Sequence, residues 1–202
     1  MLNSGKNMDK DFVKEKTCGD DDLIWKECSK KEILGIPVFS VMETTSISPE
    51  GETGNYYVMD ANDWVITIPV MGKDFLMVKQ WRHGEKQISI EFPGGVLEKG
   101  EDAEDGAKRE LREETGFEAK KMVHLGTFNP NPALMTNHVH IFAALELENC
   151  GSQELDKDEY VNVLKMPENE VLAKLGTKEF QHALMGCAMA MYLRYKLKEQ
   201  QF

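Results

Sequence analysis

Short apolar runs rich in β-branched residues, separated by turn-forming residues, occupy most of the chain and predict strands. The predicted strands lie at residues 36–48, 55–60, 63–70, 75–82, 88–92, 121–128, 139–148 and 160–166. Helical spacing of apolar residues predicts helices at residues 20–28, 103–115, 168–175 and 180–198. The apolar stripe of the last helix is formed by Leu184, Cys187, Ala188, Met191 and Tyr195. A run of strands, then a helix, more strands and a closing helix indicates an α/β (α+β) fold with helices packed on a sheet.

The N-terminal part of the chain carries a weaker pattern. Residues 1–19 are dominated by Asn, Ser, Gly and Lys, which predicts a mobile terminus. The helix at residues 20–28 is expected to turn Leu23, Ile24 and Trp25 inward. Trp64 and Trp81 are also predicted to pack in the core, because aromatic side chains dominate protein cores.

Residues 91–117 form the most informative stretch of the sequence. Phe92-Pro93-Gly94-Gly95 ends an apolar run and turns the chain, because proline fixes φ and glycine tolerates conformations that other residues do not. The following helix, residues 103–115, is rich in Ala, Leu, Glu, Lys and Arg. Gly116 is predicted to be its C-cap.

Three carboxylates crowd one side of this helix. Glu110 lies three residues before Glu113 and four before Glu114, so all three project together and repel each other. Two of them also lie near the helix C-terminus, where the macrodipole disfavours anions. Arg109 offers partial relief and can reach back to Glu101. The arrangement is costly unless a cation sits among the carboxylates, and Mg²⁺ is held by such oxygen ligands together with substrate phosphates.

The spacing of these residues resembles the Nudix box at every fixed position. The matching residues are Gly95, Glu101, Arg109, Glu110, Leu111, Glu113, Glu114, Gly116 and Phe117. The resemblance implies an α/β/α Nudix sandwich with a mixed central sheet. It also implies that Glu110 and Glu114 ligate Mg²⁺, with Mn²⁺ as an alternative, that Glu113 assists and that the Gly94 carbonyl completes the metal site. The alternative interpretation is an acidic surface helix beside a glycine loop.

A second motif narrows the subgroup. Residues 78–82, Val-Lys-Gln-Trp-Arg, and residues 91–95, Glu-Phe-Pro-Gly-Gly, resemble a paired pattern in ADP-ribose and nucleoside diphosphate sugar pyrophosphatases. The resemblance implies that Arg82 and Glu91 bind substrate. It also implies that residues 1–60 form an extension and a small antiparallel sheet for homodimerisation, and residues 61–202 the Nudix hydrolase domain. The loop at residues 135–138 lacks the acid usual in ADP-ribose enzymes, which leaves GDP-mannose or ADP-glucose open as substrates.

The implied reaction cleaves the diphosphate linkage to a nucleoside monophosphate and a sugar phosphate. Metal ions would neutralise the diphosphate and activate the attacking water. Residues 156–163 resemble a stretch that carries the general base in this group, which nominates Glu159. The alternative interpretation of this stretch is an acidic loop that is only solvated. In that case Glu113 is the candidate for the general base. Two other functions stay open: a nucleoside triphosphate pyrophosphatase, and a non-catalytic Nudix sensor that binds a nucleotide.

Composition excludes several partners. The net charge is −11, with 35 acidic and 24 basic residues, whereas a nucleic-acid binder needs a basic footprint. No apolar run approaches the length of a membrane span, so no membrane partner is expected. Cys18, Cys28, Cys150 and Cys187 are scattered, which is typical of reduced thiols in a cytoplasmic protein. The expected partner is therefore a small nucleotide substrate.

Overall fold

A computed structural model of the chain describes residues 20–200, and the terminus predicted to be mobile, residues 1–19, lies outside the described residues. The first part of the described chain is a three-stranded antiparallel sheet, called the small sheet below. Its strands are β1 (Lys26–Ile36), β2 (Phe39–Ile47) and β3 (Thr53–Asp60), in the order β1-β2-β3. The register of β1 against β2 shifts twice, between Glu27 and Ser29 and between Glu32 and Leu34.

The predicted helix at residues 20–28 is wrong. Only a single 3₁₀ turn forms, at Asp20–Leu23, and β1 begins three residues later. Leu23 and Ile24 are 69% and 64% exposed instead of facing inward. The physical reason is that the last part of the predicted helix pairs with β2 as a strand, from Lys26 onward. Every residue of β1 is exposed, so no core packing favours a helix there. Trp25 is also exposed and meets the ring of Tyr56 edge-on at 5.3 Å.

The larger sheet is mixed and has six strands. They are β4 (Trp64–Met71), β5 (Asp74–Arg82), β6 (Gln87–Glu91), β7 (Phe117–Phe128), β8 (Val139–Asn149) and β9 (Val161–Pro167). The order is β6-β5-β4-β8-β7, with β9 paired to β5. β4 and β8 run parallel at its centre and the other pairs are antiparallel.

Helices cover both faces of the larger sheet. Side chains of β4 alternate between its faces, so Val65 and Ile66 point to opposite sides. Val65 packs with Ala107 of α1 (Ala103–Thr115), whereas Ile66 belongs to the cluster that contains α3 (Ala183–Glu199). A short helix, α2 (Glu168–Lys174), follows β9. The predicted α/β sandwich with a mixed central sheet and a small N-terminal sheet is therefore confirmed.

The buried face of α3 differs from the predicted stripe. Its most buried residues are Met185, Ala188, Met189 and Tyr192, and only Ala188 belongs to the predicted set. The other predicted residues are half-buried against the same core. Because α3 carries apolar side chains on more than one face, spacing alone does not select the buried one.

The tryptophans also depart from the sequence prediction. Trp25 and Trp81 are 48% and 47% exposed, so neither is a core residue in the single chain. Trp64 alone packs against the core, at the start of β4. Among residues 20–200, no helix is both long and apolar enough to cross a membrane.

The small sheet is joined to the larger one through the loop before β8. The Met59 N–H donates to the Leu134 carbonyl at 2.7 Å, and the Thr136 N–H donates to the Met59 carbonyl at 3.0 Å. The Thr136 hydroxyl donates to the Asp60 carboxylate at 2.6 Å and, as the largest cause, lowers the pKa of Asp60. The end of β3 is therefore held against the loop that leads into β8.

Candidate active site

The glycine turn lies against the edge of β4. The Val65 N–H donates to the Gly95 carbonyl and the Thr67 N–H to the Pro93 carbonyl, each at 2.9 Å. A Cβ on Gly94 would lie 2.1 Å from the Val65 carbonyl oxygen, and one on Gly95 would lie 2.3 Å from Glu110 Oε1. Neither glycine has a left-handed backbone. Close approach, and not the backbone freedom inferred from the sequence, is what requires glycine here.

Both ends of α1 are capped, and Gly116 is the C-cap that the sequence predicts. The Asp102 carboxylate accepts from the Glu104 N–H at 2.8 Å, which satisfies one of the free donors of the first turn. Gly116 adopts a left-handed conformation with φ of 72°, and its N–H donates to the Arg112 carbonyl. The Thr67 hydroxyl donates to the Ala107 carbonyl at 3.1 Å, which fixes α1 against β4.

The three carboxylates of α1 occupy different environments. Glu110 and Glu114 are 9% and 3% exposed, and the Gly94 N–H donates to Glu114 Oε2 at 2.8 Å. Glu113 is half-exposed and accepts a hydrogen bond from Arg109. Within residues 20–200, no three His, Cys, Asp or Glu side chains converge as a ready-made metal-ligand set. The structure therefore brings Glu110 and Glu114 to the glycine turn and leaves Glu113 at its side.

Arg109 neutralises part of this negative charge. Its Nε and Nη2 donate to the two carboxylate oxygens of Glu101 at 2.9 and 3.0 Å, the contact expected from the sequence. Its Nη1 donates to Glu110 at 2.9 Å and to Glu113 at 3.0 Å. The Glu101 hydrogen bond, followed by the Glu110 and Glu113 contacts, raises the pKa of Arg109. The same hydrogen bond lowers the pKa of Glu101.

Burial makes the two inner carboxylates hard to ionise. It raises the pKa of Glu114 to about 8, against the opposing hydrogen bond from Gly94 and with a further contribution from the charge of Glu110. Burial likewise raises the pKa of Glu110, where Arg109 opposes the shift. Two buried acids with raised pKa values beside a turn fit a site that takes up a cation, because a bound cation stabilises their charged forms.

Arg82 and Glu91 form a bidentate ion pair between the ends of β5 and β6. Arg82 Nε donates to Glu91 Oε1 at 2.9 Å, and Nη2 donates to Oε2. Glu91 is only 1% exposed, whereas the Arg82 side chain is 41% exposed. Burial alone would raise the pKa of Glu91, but the hydrogen bond and charge of Arg82 lower it overall. Glu91 therefore stays ionised and holds a guanidinium that remains open to solvent.

A cavity of about 690 Å³ lies beside this pair, a volume suited to a nucleotide-sized ligand. Gly94 and Gly95 form part of its wall, between the cavity and the buried carboxylates. Its other walls come from the small sheet, the β5–β6 hairpin and the start of α3, with lining residues that include Phe39, Met59, Trp64, Arg82, Glu91 and His182.

His182 lies outside the residues that the sequence nominated. It is the N-cap residue of α3, and its buried Nδ1 has no hydrogen-bond partner. Burial lowers the pKa of His182, with the negative charge of Glu91 opposing the shift. No motif marks this position, because its place in the cavity arises from packing between segments that are 93 residues apart at the Phe92–Met185 contact. The Phe92 N–H, which donates to the Met185 sulfur at 3.0 Å, belongs to the same packing.

Comparison with known proteins agrees with this geometry. The profile of the NUDIX domain matches residues 62–185, more than half of the chain. The chain belongs to the Nudix family. It is 32% identical over 173 residues to an ADP-ribose pyrophosphatase of Bacillus subtilis (strain 168), covering 85% of this chain and 93% of that protein. It is 28% identical over 151 residues to an ADP-sugar pyrophosphatase of Mus musculus, covering 66% of this chain and 69% of that protein.

A solved structure described as an ADP compounds hydrolase has the same fold as this Nudix chain. The TM-score is 0.77 at 22% identity, and the match covers 87% of this chain and 95% of the other. The match extends well beyond the box, so it includes more than the glycine turn and α1. The Nudix fold is therefore shared over most of the described residues.

The remaining nominated residue of the Nudix chain, Glu159, lies on an exposed loop between β8 and β9. Its N–H donates to the Asp156 carbonyl at 3.0 Å, and its Oε2 accepts from the Asp156 N–H at 3.2 Å. Its negative charge contributes to the raised pKa values of Glu110 and Glu114. The loop therefore faces the box carboxylates, while the Glu159 side chain is bonded within its own turn.

Proposed function

We propose that this Nudix protein hydrolyses the diphosphate linkage of ADP-ribose or a related ADP-sugar to a nucleoside monophosphate and a sugar phosphate. The observation that carries the proposal is the buried Glu110–Glu114 pair behind the glycine wall of a nucleotide-sized cavity. The ADP-ribose and ADP-sugar pyrophosphatases among its relatives support the choice of substrate.

Glu110, Glu114, Glu113 and the Gly94 carbonyl are the proposed holders of Mg²⁺, with Mn²⁺ as the alternative metal. Oxygen donors of this kind suit a hard divalent cation, and Glu110 and Glu114 are already placed at one turn. When bound, the ion would neutralise diphosphate charge and activate the attacking water. To reach the ion, Glu113 would have to give up its hydrogen bond with Arg109. Arg109 would stay in place because it is still bonded to Glu101.

Arg82 and Glu91 are the proposed substrate-binding residues. Glu91 is buried and fixes the guanidinium by two hydrogen bonds, so Arg82 loses little further conformational freedom when it contacts an anionic or aromatic part of the nucleotide. Trp64 and Phe39 offer aromatic surface in the same cavity. Burial of the nucleotide there would orient the diphosphate toward the glycine turn and exclude water from it.

Glu159 is the proposed general base, which takes the proton of the attacking water. Its side chain is exposed on the loop, and its negative charge acts on the box carboxylates Glu110 and Glu114. The Glu159 side chain would have to leave the Asp156 N–H to reach a substrate. Glu113 is the alternative base, since it lies on α1 itself.

A homodimer built through residues 1–60, with residues 61–202 as the Nudix domain, is also proposed. The small sheet exposes apolar side chains that a second copy would cover, among them Ile33, Leu34, Ile36, Val38 and Tyr57. β1 is exposed along its whole length. A cytoplasmic location is proposed as well, where free thiols such as Cys28, Cys150 and Cys187 stay reduced.

A substrate panel with product identification tests the proposal. ADP-ribose, other nucleoside diphosphate sugars and nucleoside triphosphates would each be incubated with Mg²⁺ or Mn²⁺. The proposal expects AMP and a sugar phosphate from an ADP-sugar. Release of inorganic pyrophosphate from triphosphates would show instead that the protein is a nucleoside triphosphate pyrophosphatase. Tight nucleotide binding without turnover would show instead that the protein is a non-catalytic nucleotide sensor.

A further inference from the structure

The loop that carries Glu159 is attached to the C-terminal end of α1. The Cys150 N–H donates to the Gly116 carbonyl at 2.8 Å, and the Glu154 N–H donates to the Glu113 carbonyl at 2.9 Å. The last carbonyls of a helix have no partner within it, so these contacts complete the helix end. The start of the loop therefore serves as the cap of the helix that bears the box carboxylates.

Gln153 adds a contact that no motif predicts. Its side-chain Nε2 donates to the Glu114 carbonyl at 2.6 Å and to the Val161 carbonyl at 3.1 Å. A carboxamide nitrogen has two hydrogens, so both of its donors are used. One carbonyl belongs to a proposed metal-holding glutamate, and the other to the first residue of β9.

The two contacts close residues 154–160 into a loop with a fixed base. Within it, the mutual hydrogen bonds of Asp156 and Glu159 make a compact turn. Glu159 lies two residues before Val161, whose carbonyl Gln153 holds. If the Gln153 contacts were lost, Glu159 would move relative to α1, because only one residue separates Glu159 from Val161.

We propose that Gln153 is a positioning residue that holds the Glu159 loop in register with the carboxylate-bearing end of α1. This inference rests on the proposed function, in which Glu159 takes a proton and Glu114 holds the metal. Gln153 would act through Glu159 and would not touch the substrate. The other side-chain link of this loop to α1, between Arg112 and Glu154, joins two exposed groups and contributes little.

The test uses Gln153→Met, which removes both donors while keeping the side-chain volume. Hydrogen exchange of the purified full chain should show the hydrogen-bonded amides of Asp156 and Glu159 exchanging about tenfold faster. With the substrate found in the panel, kcat should fall about 10- to 100-fold while KM stays within about twofold, because a small displacement of a reacting group is costly. Glu154→Ala is the matched control, since it removes a side chain of the same loop but keeps its backbone contact.

A double-mutant cycle separates positioning from general stabilisation. If Gln153 acts through Glu159, Gln153→Met should cost nothing further in a Glu159→Gln background. An equal loss of kcat in both backgrounds, or unchanged exchange in the loop, would overturn the proposal. If the wild-type protein hydrolyses no substrate, the proposed function fails and hydrogen exchange alone decides whether Gln153 fixes the loop.

Discussion

The Gly94 N–H donates a hydrogen bond of 2.8 Å to the carboxylate of Glu114, twenty residues later in the chain. This bond joins the glycine turn to α1 at the more buried of the two inner carboxylates. It also explains how Glu114, 3% exposed and with a pKa raised by burial to about 8, keeps a polar partner in the folded chain. The turn and the helix therefore act as one unit.

Glu114→Gln should abolish turnover while leaving the fold intact. The amide oxygen can still accept from Gly94, but it cannot supply the charge that a divalent cation needs, so kcat should fall on the order of 100-fold or more. Metal binding measured by calorimetry should weaken in parallel. Glu118→Gln, at an exposed glutamate that pairs with the exposed Arg112, should keep full activity.

Glu114→Gln should also change how the stability of the protein depends on pH. The pKa of Glu114 is higher in the folded chain than the value of about 4.3 expected when unfolded. The folded state therefore binds more protons between pH 4.3 and about 8, so its stability is greatest below this range and falls as pH rises through it. In thermal unfolding without metal, the melting temperature of Glu114→Gln should rise relative to that of the wild type as pH increases toward 8. A difference in melting temperature that does not change with pH would contradict this.

Adding a Cβ to the two glycines should have different effects. Gly94→Ala places its Cβ against the Val65 carbonyl of the backbone and should mainly destabilise the fold. Gly95→Ala places it against the Glu110 carboxylate, a side chain that can move, and should mainly reduce metal affinity and kcat. Denaturation and activity assays separate the two effects.

Gly186→Ala is the control for both glycine variants. Gly186 lies inside α3, and nothing is within 4 Å of the added Cβ. Alanine there should stabilise the protein by about 0.5–1 kcal/mol with activity unchanged. A similar loss of activity in this variant would mean that the chain tolerates no added methyl group and that the glycine turn is not special.

Arg82→Met should destabilise the chain by about 2 kcal/mol, because it leaves the buried Glu91 without its partner. In the wild type the pKa of Glu91 is lowered, so the contribution of the pair is present above pH 4.3 and is lost as pH falls through the lower folded value. In the variant, burial is opposed only by the smaller contributions of Ser89 and His182, so the sign is expected to reverse and stability to fall as pH rises.

Urea unfolding between pH 4 and 8 measures this reversal. Arg112→Met is the matched control, since its partners Glu118 and Glu154 are both exposed and contribute little. The same pH slope in Arg82→Met and in the wild type would show that Arg82 does not set the charge state of Glu91.

Leu34→Asp should convert the proposed dimer into a monomer. Leu34 is 54% exposed on β1, and a buried carboxylate at a subunit interface carries a large desolvation cost. Light scattering after size-exclusion chromatography would give the mass of each variant. Leu172→Asp, at an apolar residue 45% exposed on α2, should leave the mass unchanged. A wild-type protein that is already monomeric would remove the dimer proposal.

Local signals explain what the sequence predicted well. The bounds of α1 and its C-cap follow from Asp102 at one end and Gly116 at the other, both of which act through contacts within a few residues. The contact between Arg109 and Glu101 likewise spans only eight residues. Such interactions depend little on the rest of the fold, so their pattern is visible in the sequence.

Non-local packing explains what the sequence missed. β1 is exposed on both faces in the single chain, so it lacks the alternation that marks a half-buried strand. Gln153 and His182 gain their positions through contacts with α1, β9 and the cavity, which no spacing along the chain encodes. The buried face of α3 was misplaced for the same reason.

Most of the cavity wall comes from parts of the chain outside the box, and this separation has an evolutionary consequence. The glycine turn and α1 are one continuous segment, whereas the rest of the cavity is assembled from positions as distant as Phe39 and His182. Substitutions at those distant positions can redirect ligand preference without disturbing the hydrolytic segment. A laboratory library confined to them should yield variants with new selectivity at unimpaired metal affinity.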